Sequence, residues 1–60
     1  MKETLLDRIE SAYSRNKISF DDDGSVTSDY PRLAEEIVAT LPALIIAGGI
    51  NSVRRALGGH

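Results

Sequence analysis

The seventeen residues from Ile37 to Val53, IVATLPALIIAGGINSV, carry no charged side chain, and in a chain of 60 residues they are the only large source of apolar surface. Whatever this chain folds into must cover them. Three arrangements compete. One is a helix buried on nearly every side. Another is a membrane span, which needs about 20 apolar residues with a lower limit near 17. The third is a pair of helices broken inside the stretch. Pro42 lacks a backbone donor and disfavours helical geometry at Leu41, so it belongs in the first turn of a helix. One helix should end near Thr40 and another start near Pro42, with Thr40 as a candidate N-cap. Gly48 and Gly49 cost about 1 kcal/mol each inside a helix, which marks a break or a close backbone approach. Ile46, Ile50, Val53 and Leu57 fall at helical spacing, so the reading favours one apolar helix over 42–57, loosened at the glycines and stopped by Gly58-Gly59.

The segments before this stretch are more conventional. Residues 1–16 read as an amphipathic helix with Leu5, Leu6, Ile9, Ala12 and Tyr13 on one side. Residues 17–28, KISFDDDGSVTS, alternate apolar and polar side chains on either side of Asp23-Gly24, a turn dipeptide. They predict a short β-hairpin or an acidic loop, with Ile18, Phe20 and Val26 laid on the helices. A lone hairpin is unstable in water and must pack or pair across a dimer. Ser28 or Asp29 can cap a helix over 30–40, with Pro31 in its first turn. The expected fold is mainly α: a single small domain of three helices, the last two alternatively one kinked pair, with the hairpin or acidic loop between the first and second.

So short a domain buries only about 60% of the surface its unfolded chain exposes. The sequence has no cysteine, so neither a disulfide nor a thiolate metal site can staple it. Partner chains are the remaining support, and self-association, most simply as a two-fold dimer, is expected. The contact would be carried by Leu44, Ile45, Ile46, Ile50 and Val53, with Gly48 and Gly49 allowing close approach. The N-terminal segment has no apolar core of the kind a secretory signal carries, which points to the cytoplasm.

The net charge of −2 is unevenly spread. Residues 17–36 hold Asp21, Asp22, Asp23, Asp29, Glu35 and Glu36 against Lys17 and Arg32, which is not the basic stripe of a general nucleic-acid binder. Asp21, Asp22, Asp23 and Asp29 instead offer an acidic surface to a protein partner with a basic one.

Two short resemblances can be weighed. With Gly24 at the sixth position of a calcium loop, Ser19, Asp21 and Asp23 take the first, third and fifth, Val26 the eighth and Thr27 the ninth. This resembles an EF-hand over about twelve residues, and implies calcium held by those side chains. Ser19 replaces the usual first Asp, and Tyr30 stands where a bidentate Glu should close the site, which leaves weak binding at best. A solvated acidic turn is the reading kept, with no metal or other cofactor. INSVRRAL, after Gly49, resembles the end of a helix–turn–helix recognition helix. That resemblance implies DNA contact through Arg54 and Arg55, but Val53 follows Ile50 too soon, and the Asp run would repel phosphate.

No catalytic set is present. His60, the only histidine, follows Gly58-Gly59 at the chain end, and no serine has an elbow motif around it. The expectation is a non-enzymatic, acidic, homo-oligomeric interaction or regulatory module. A DNA-binding regulator and a membrane-associated peptide using 37–53 are the alternatives.

Overall fold

The computed structural model describes residues 3–58; His60 lies outside them. In chain order the elements are α1 (Leu5–Ser14), β1 (Ile18–Phe20), β2 (Val26–Ser28), α2 (Pro31–Thr40), α3 (Ala43–Ala47) and α4 (Ile50–Gly58). The domain is mainly helical, with the small antiparallel hairpin between the first two helices. Its radius of gyration is 10.4 Å, as a compact chain of this length requires.

Helix α1 starts at Thr4. Its hydroxyl accepts from the Asp7 N–H at 3.1 Å, and the Asp7 carboxylate accepts from the Thr4 N–H at 3.3 Å. This capping box satisfies two donors that the first turn would otherwise leave open. Asn16 at φ 58° turns the chain out of the helix, and Lys17 N–H donates back to Ala12 C=O at 2.8 Å.

The hairpin pairs Ile18 with Ser28, Ser19 with Thr27 and Phe20 with Val26. Its loop has three residues, Asp22 to Gly24, and not the two that Asp23-Gly24 alone would make. Gly24 N–H donates to Asp21 C=O at 3.0 Å, and Asp21 N–H donates to Ser25 C=O at 2.9 Å. Gly24 at φ 87° supplies the left-handed residue that such a loop demands. Tyr30 is the residue preceding α2. Neither Ser28 nor Asp29 caps the helix directly; Ser28 Oγ instead accepts from Tyr30 N–H at 3.0 Å and donates to Lys17 C=O at 2.8 Å. Pro31 opens α2, as its fixed φ favours.

The apolar stretch is broken twice. Leu41 is extended (φ −114°, ψ 142°), the geometry Pro42 imposes on the residue before it. Thr40 is therefore the end of α2 and not a cap for the next helix; Pro42 stands before α3 with no side-chain cap. The second break corrects the single helix expected over 42–57. Gly49 takes φ 83°, which ends α3 and lets α4 leave in a new direction. Gly48 fits the corner because a Cβ there would run into the Ser52 side chain. No described helix is long and apolar enough to cross a membrane.

Dividing the stretch lets each short piece turn its apolar side inward. Ile37 from α2, Leu41 in the extended link after it, Ile46 from α3 and Val53 from α4 join Ile9, Ala12, Ile18 and Leu33 in one core. Ile50 and Leu57 pack against it, so the stripe read from Ile46 to Leu57 survives although its helix does not. Full burial of side chains such as Ile9, Ile37, Ile46 and Val53 stabilises by about 1.5–3 kcal/mol each before entropy is counted. Surface ion pairs bind the periphery: Arg8 to Glu36 at 2.9 Å, Lys17 to Asp29 at 3.2 Å, and Arg54 to Glu10 at 2.6 Å.

Candidate interaction surface

Asp21, Asp22 and Asp23 gather at the hairpin turn, while Asp29 lies at its other end beside Lys17. Asp21, Asp22, Asp23 and Asp29 are all exposed. Ser25 Oγ–H donates to Asp23 Oδ1 at 2.6 Å, and Asp21 Oδ2 stands 3.1 Å from the same hydroxyl. Ser25 N–H also donates to Asp23 Oδ1 at 3.0 Å. These bonds from Ser25, the hydroxyl first, hold the Asp23 carboxyl below the usual range for an aspartate. The hairpin departs from calcium-loop geometry, since Ser19 and Thr27 face one another across the ladder. No group of three or more His, Cys, Asp or Glu among the described residues could hold a metal ion.

The residues expected to carry an oligomer contact are scattered. Ile46 and Val53 are 1% and 0% exposed and belong to the chain's own core. Ile45 and Ile50 are half-buried against it. Gly48 is exposed and Gly49 partly so. Leu44 alone faces outward fully, at 83% exposure, and Val38 on α2 is 54% exposed. Ala39, Pro42 and Ala43 between them are exposed as well.

This apolar run adjoins the acidic turn. A Cβ at Gly24 would sit 2.5 Å from Ala43 Cβ, so the hairpin loop rests directly on the start of α3. Val26 on β2 and Ala34, Val38 and Ala39 on α2 line an open, mostly apolar groove of about 370 Å³, with Glu35 at its edge. The acidic turn thus abuts the start of the apolar α3, and the apolar groove carries one carboxylate, Glu35.

Along the other strand of the hairpin, β1, Tyr13, Asn16, Phe20, Gly49 and Ile50 border a second open groove of about 430 Å³. Tyr13 and Phe20 stack with centroids 6.5 Å apart. The Arg54 guanidinium sits 5.9 Å from the Tyr13 ring centre and forks onto Glu10, at 2.6 and 2.8 Å. The hydrogen bond from Arg54 holds the Glu10 carboxyl below its ordinary value, and the same bond raises Arg54. One of the two arginines read as phosphate contacts is thus engaged within the chain. Tyr13 and Tyr30, each 41% exposed, are rim residues. The Glu10–Arg54 clamp links positions 44 residues apart, and no sequence spacing announces it.

Compared with known proteins, the chain matches no family model, no curated protein and no solved structure.

Proposed function

We propose that this chain is a non-enzymatic interaction module that works as a homo-oligomer and presents an apolar, acid-rimmed surface to a protein partner with a basic one. The observation that carries the reading is an exposed apolar run, Val38, Ala39, Pro42, Ala43 and Leu44, beside a carboxylate-rich turn. Leu44, 83% exposed on a five-residue helix, is its most exposed large side chain and lies outside the chain's own core. Large apolar side chains exposed beside polar rims mark places where proteins meet. The carboxylates at Asp21, Asp22, Asp23 and Glu35 would steer a cationic partner toward it and select against an acidic one. The cytoplasmic setting expected from the sequence belongs to the same proposal.

A fluorescent helical peptide with a leucine face and a lysine face tests it. Saturable binding is expected, weakened by salt and weakened about tenfold or more by Leu44→Ser, since a buried apolar anchor dominates such contacts. Equal binding by the wild type and by Leu44→Ser, with both folded by circular dichroism, would remove the apolar anchor from the proposal. Light scattering across concentration tests the homo-oligomer independently.

A further inference from the structure

Along β1 the hairpin has no further strand partner among the described residues, and the backbone phase and flanking charges of that edge fit a second copy of itself. In an antiparallel pair, opposed residues alternate between those that exchange both backbone hydrogen bonds and those that exchange none. Asp21 N–H bonds Ser25 C=O at 2.9 Å, and Asp29 N–H bonds Lys17 C=O at 3.0 Å. With the observed register, Ser19 and Thr27 are then the bonded pair between them, while Ile18 and Phe20 face non-bonded partners. The N–H and C=O groups of Ile18 and Phe20 consequently point away from β2. No backbone or side-chain hydrogen bond among the described residues satisfies them. The sheet ends there, at two strands.

We propose that β1 pairs antiparallel with β1 of a second copy about a two-fold axis at Ser19, joining two hairpins into one four-stranded sheet. The proposal rests on the self-association put forward above and assigns its surface. In this register Ile18 lies opposite Phe20 of the second copy, and the symmetry forms four backbone hydrogen bonds from the four outward donors. Lys17 lies opposite Asp21 of the second copy, twice by symmetry. Lys17, Ser19 and Asp21 share one side of the strand, so these opposite charges meet on the same side, in the non-bonded pairing where side chains approach most closely. Lys17 already holds Asp29 at 3.2 Å, with both side chains well exposed, and it can bridge the two carboxylates.

The inner side fits as well. Ile18 and Phe20 of the second copy would extend the row formed by this chain's own Ile18 and Phe20. That row borders the groove lined by Tyr13, Asn16, Gly49 and Ile50. The groove is open at Gly49, where an added Cβ would meet nothing within 4 Å. The edge of β2 offers no such match. A two-fold at Thr27 would set Asp29 opposite Ser25, without a charge partner, and would bring together copies of the side on which Glu35 lines the groove.

Charge exchange tests the pairing. Lys17→Asp places like negative charges opposite each other, and Asp21→Lys places like positive charges there. Each variant alone should dissociate about tenfold or more readily than the wild type by sedimentation equilibrium. Mixed together they should form a heterodimer, because each 17–21 contact then joins opposite charges. Hydrogen exchange of the wild type gives a second readout that needs no variant. The amides of Ile18 and Phe20 should become protected as concentration rises, while that of Ser19 is protected throughout. A wild-type chain that stays monomeric at every concentration overturns the self-association itself. A dimer that survives in both single variants, with Ile18 and Phe20 amides still exchanging freely, overturns this edge and leaves self-association standing through another surface.

Discussion

Two glycines with the same backbone conformation separate local strain from packing. Gly24 and Gly49 both hold left-handed geometry, at φ 87° and 83°. An L-residue there costs roughly 1–2 kcal/mol, offset by about 0.4–1 kcal/mol because alanine restricts the unfolded chain. Gly49→Ala meets open space and should cost a net of about 1 kcal/mol. Gly24→Ala carries the same strain, and its Cβ would stand 2.5 Å from Ala43 Cβ, 2.7 Å from Ala43 O and 2.8 Å from Ala43 Cα. Two of those atoms are backbone, so the hairpin loop must lift off α3. Overpacking of this kind adds about 1–3 kcal/mol, for a total of roughly 2–4 kcal/mol. A 60-residue domain has roughly 3–9 kcal/mol in all, so Gly24→Ala removes a large part of it. In urea, with a slope near 1 kcal/mol per molar, the midpoint should fall by about 1 M for Gly49→Ala and by at least about twice that for Gly24→Ala. Asparagine tolerates the left-handed region, so Gly49→Asn should recover part of the loss and Gly24→Asn should not. Equal midpoints for the two alanine variants would refute the packing of the acidic turn against α3.

Three further substitutions probe the core, the cap and the clamp. Ile46→Ala should lower stability by about 2–5 kcal/mol, whereas Leu44→Ala, two residues away on the same helix, should stay within about 0.5 kcal/mol in dilute solution; comparable melting temperatures for the two would contradict their opposite burial. Thr4→Ala removes the hydroxyl that accepts from Asp7 N–H and should cost about 1 kcal/mol, read as a lower midpoint with an unchanged slope. Glu10 is depressed below its ordinary value of 4.5 by Arg54, so its contribution is present above that value and lost as pH falls through the lower folded-state value. Glu10→Gln should therefore melt below the wild type at neutral pH, and the difference should close in acid; a gap independent of pH would show that the carboxylate charge is not what Arg54 holds.

The parts of the fold that are legible in the sequence are those fixed by a residue's own covalent geometry. Pro42 dictates the extended Leu41 wherever the rest of the chain lies. Gly48-Gly49 only permits a break, and the choice is made by Ser52 packing into the space that Gly48 leaves and by the core that Ile46 and Val53 join. Counting apolar residues along the chain assigned those two side chains to a contact between copies. That count treats the stretch as one rod with too many apolar sides, whereas three short helices can each turn inward. The capping box has no usual sequence signature, because Asp7 stands where Glu or Gln usually closes it. Strand phase is beyond reach for a sharper reason: a two-residue loop at Asp23-Gly24 and the observed three-residue loop differ by one step of register. One step exchanges the groups that bond within the hairpin for those that face the open edge.

That phase also governs how the two proposed surfaces relate. Antiparallel pairing of β1 about Ser19 sends the two hairpin loops to opposite ends of the four-stranded sheet. Each loop rests on its own α3 through Gly24 and Ala43, so each end carries one acidic turn with one Leu44 beside it. At about 3.3 Å per residue along a strand, the two ends stand on the order of 30 Å apart. A dimer of this shape would present two equivalent apolar, acid-rimmed sites facing apart, out of reach of a single short helix. Self-association and partner binding would then be separable. Leu44→Ser should abolish peptide binding and leave the sedimentation equilibrium unchanged. The Lys17→Asp chain alone should bind one peptide with wild-type affinity, yet lose the added strength shown by a two-headed peptide whose linker spans the sheet. If Leu44→Ser also dissociated the dimer, the two surfaces would be one, and the copies would meet through α3 and not through β1.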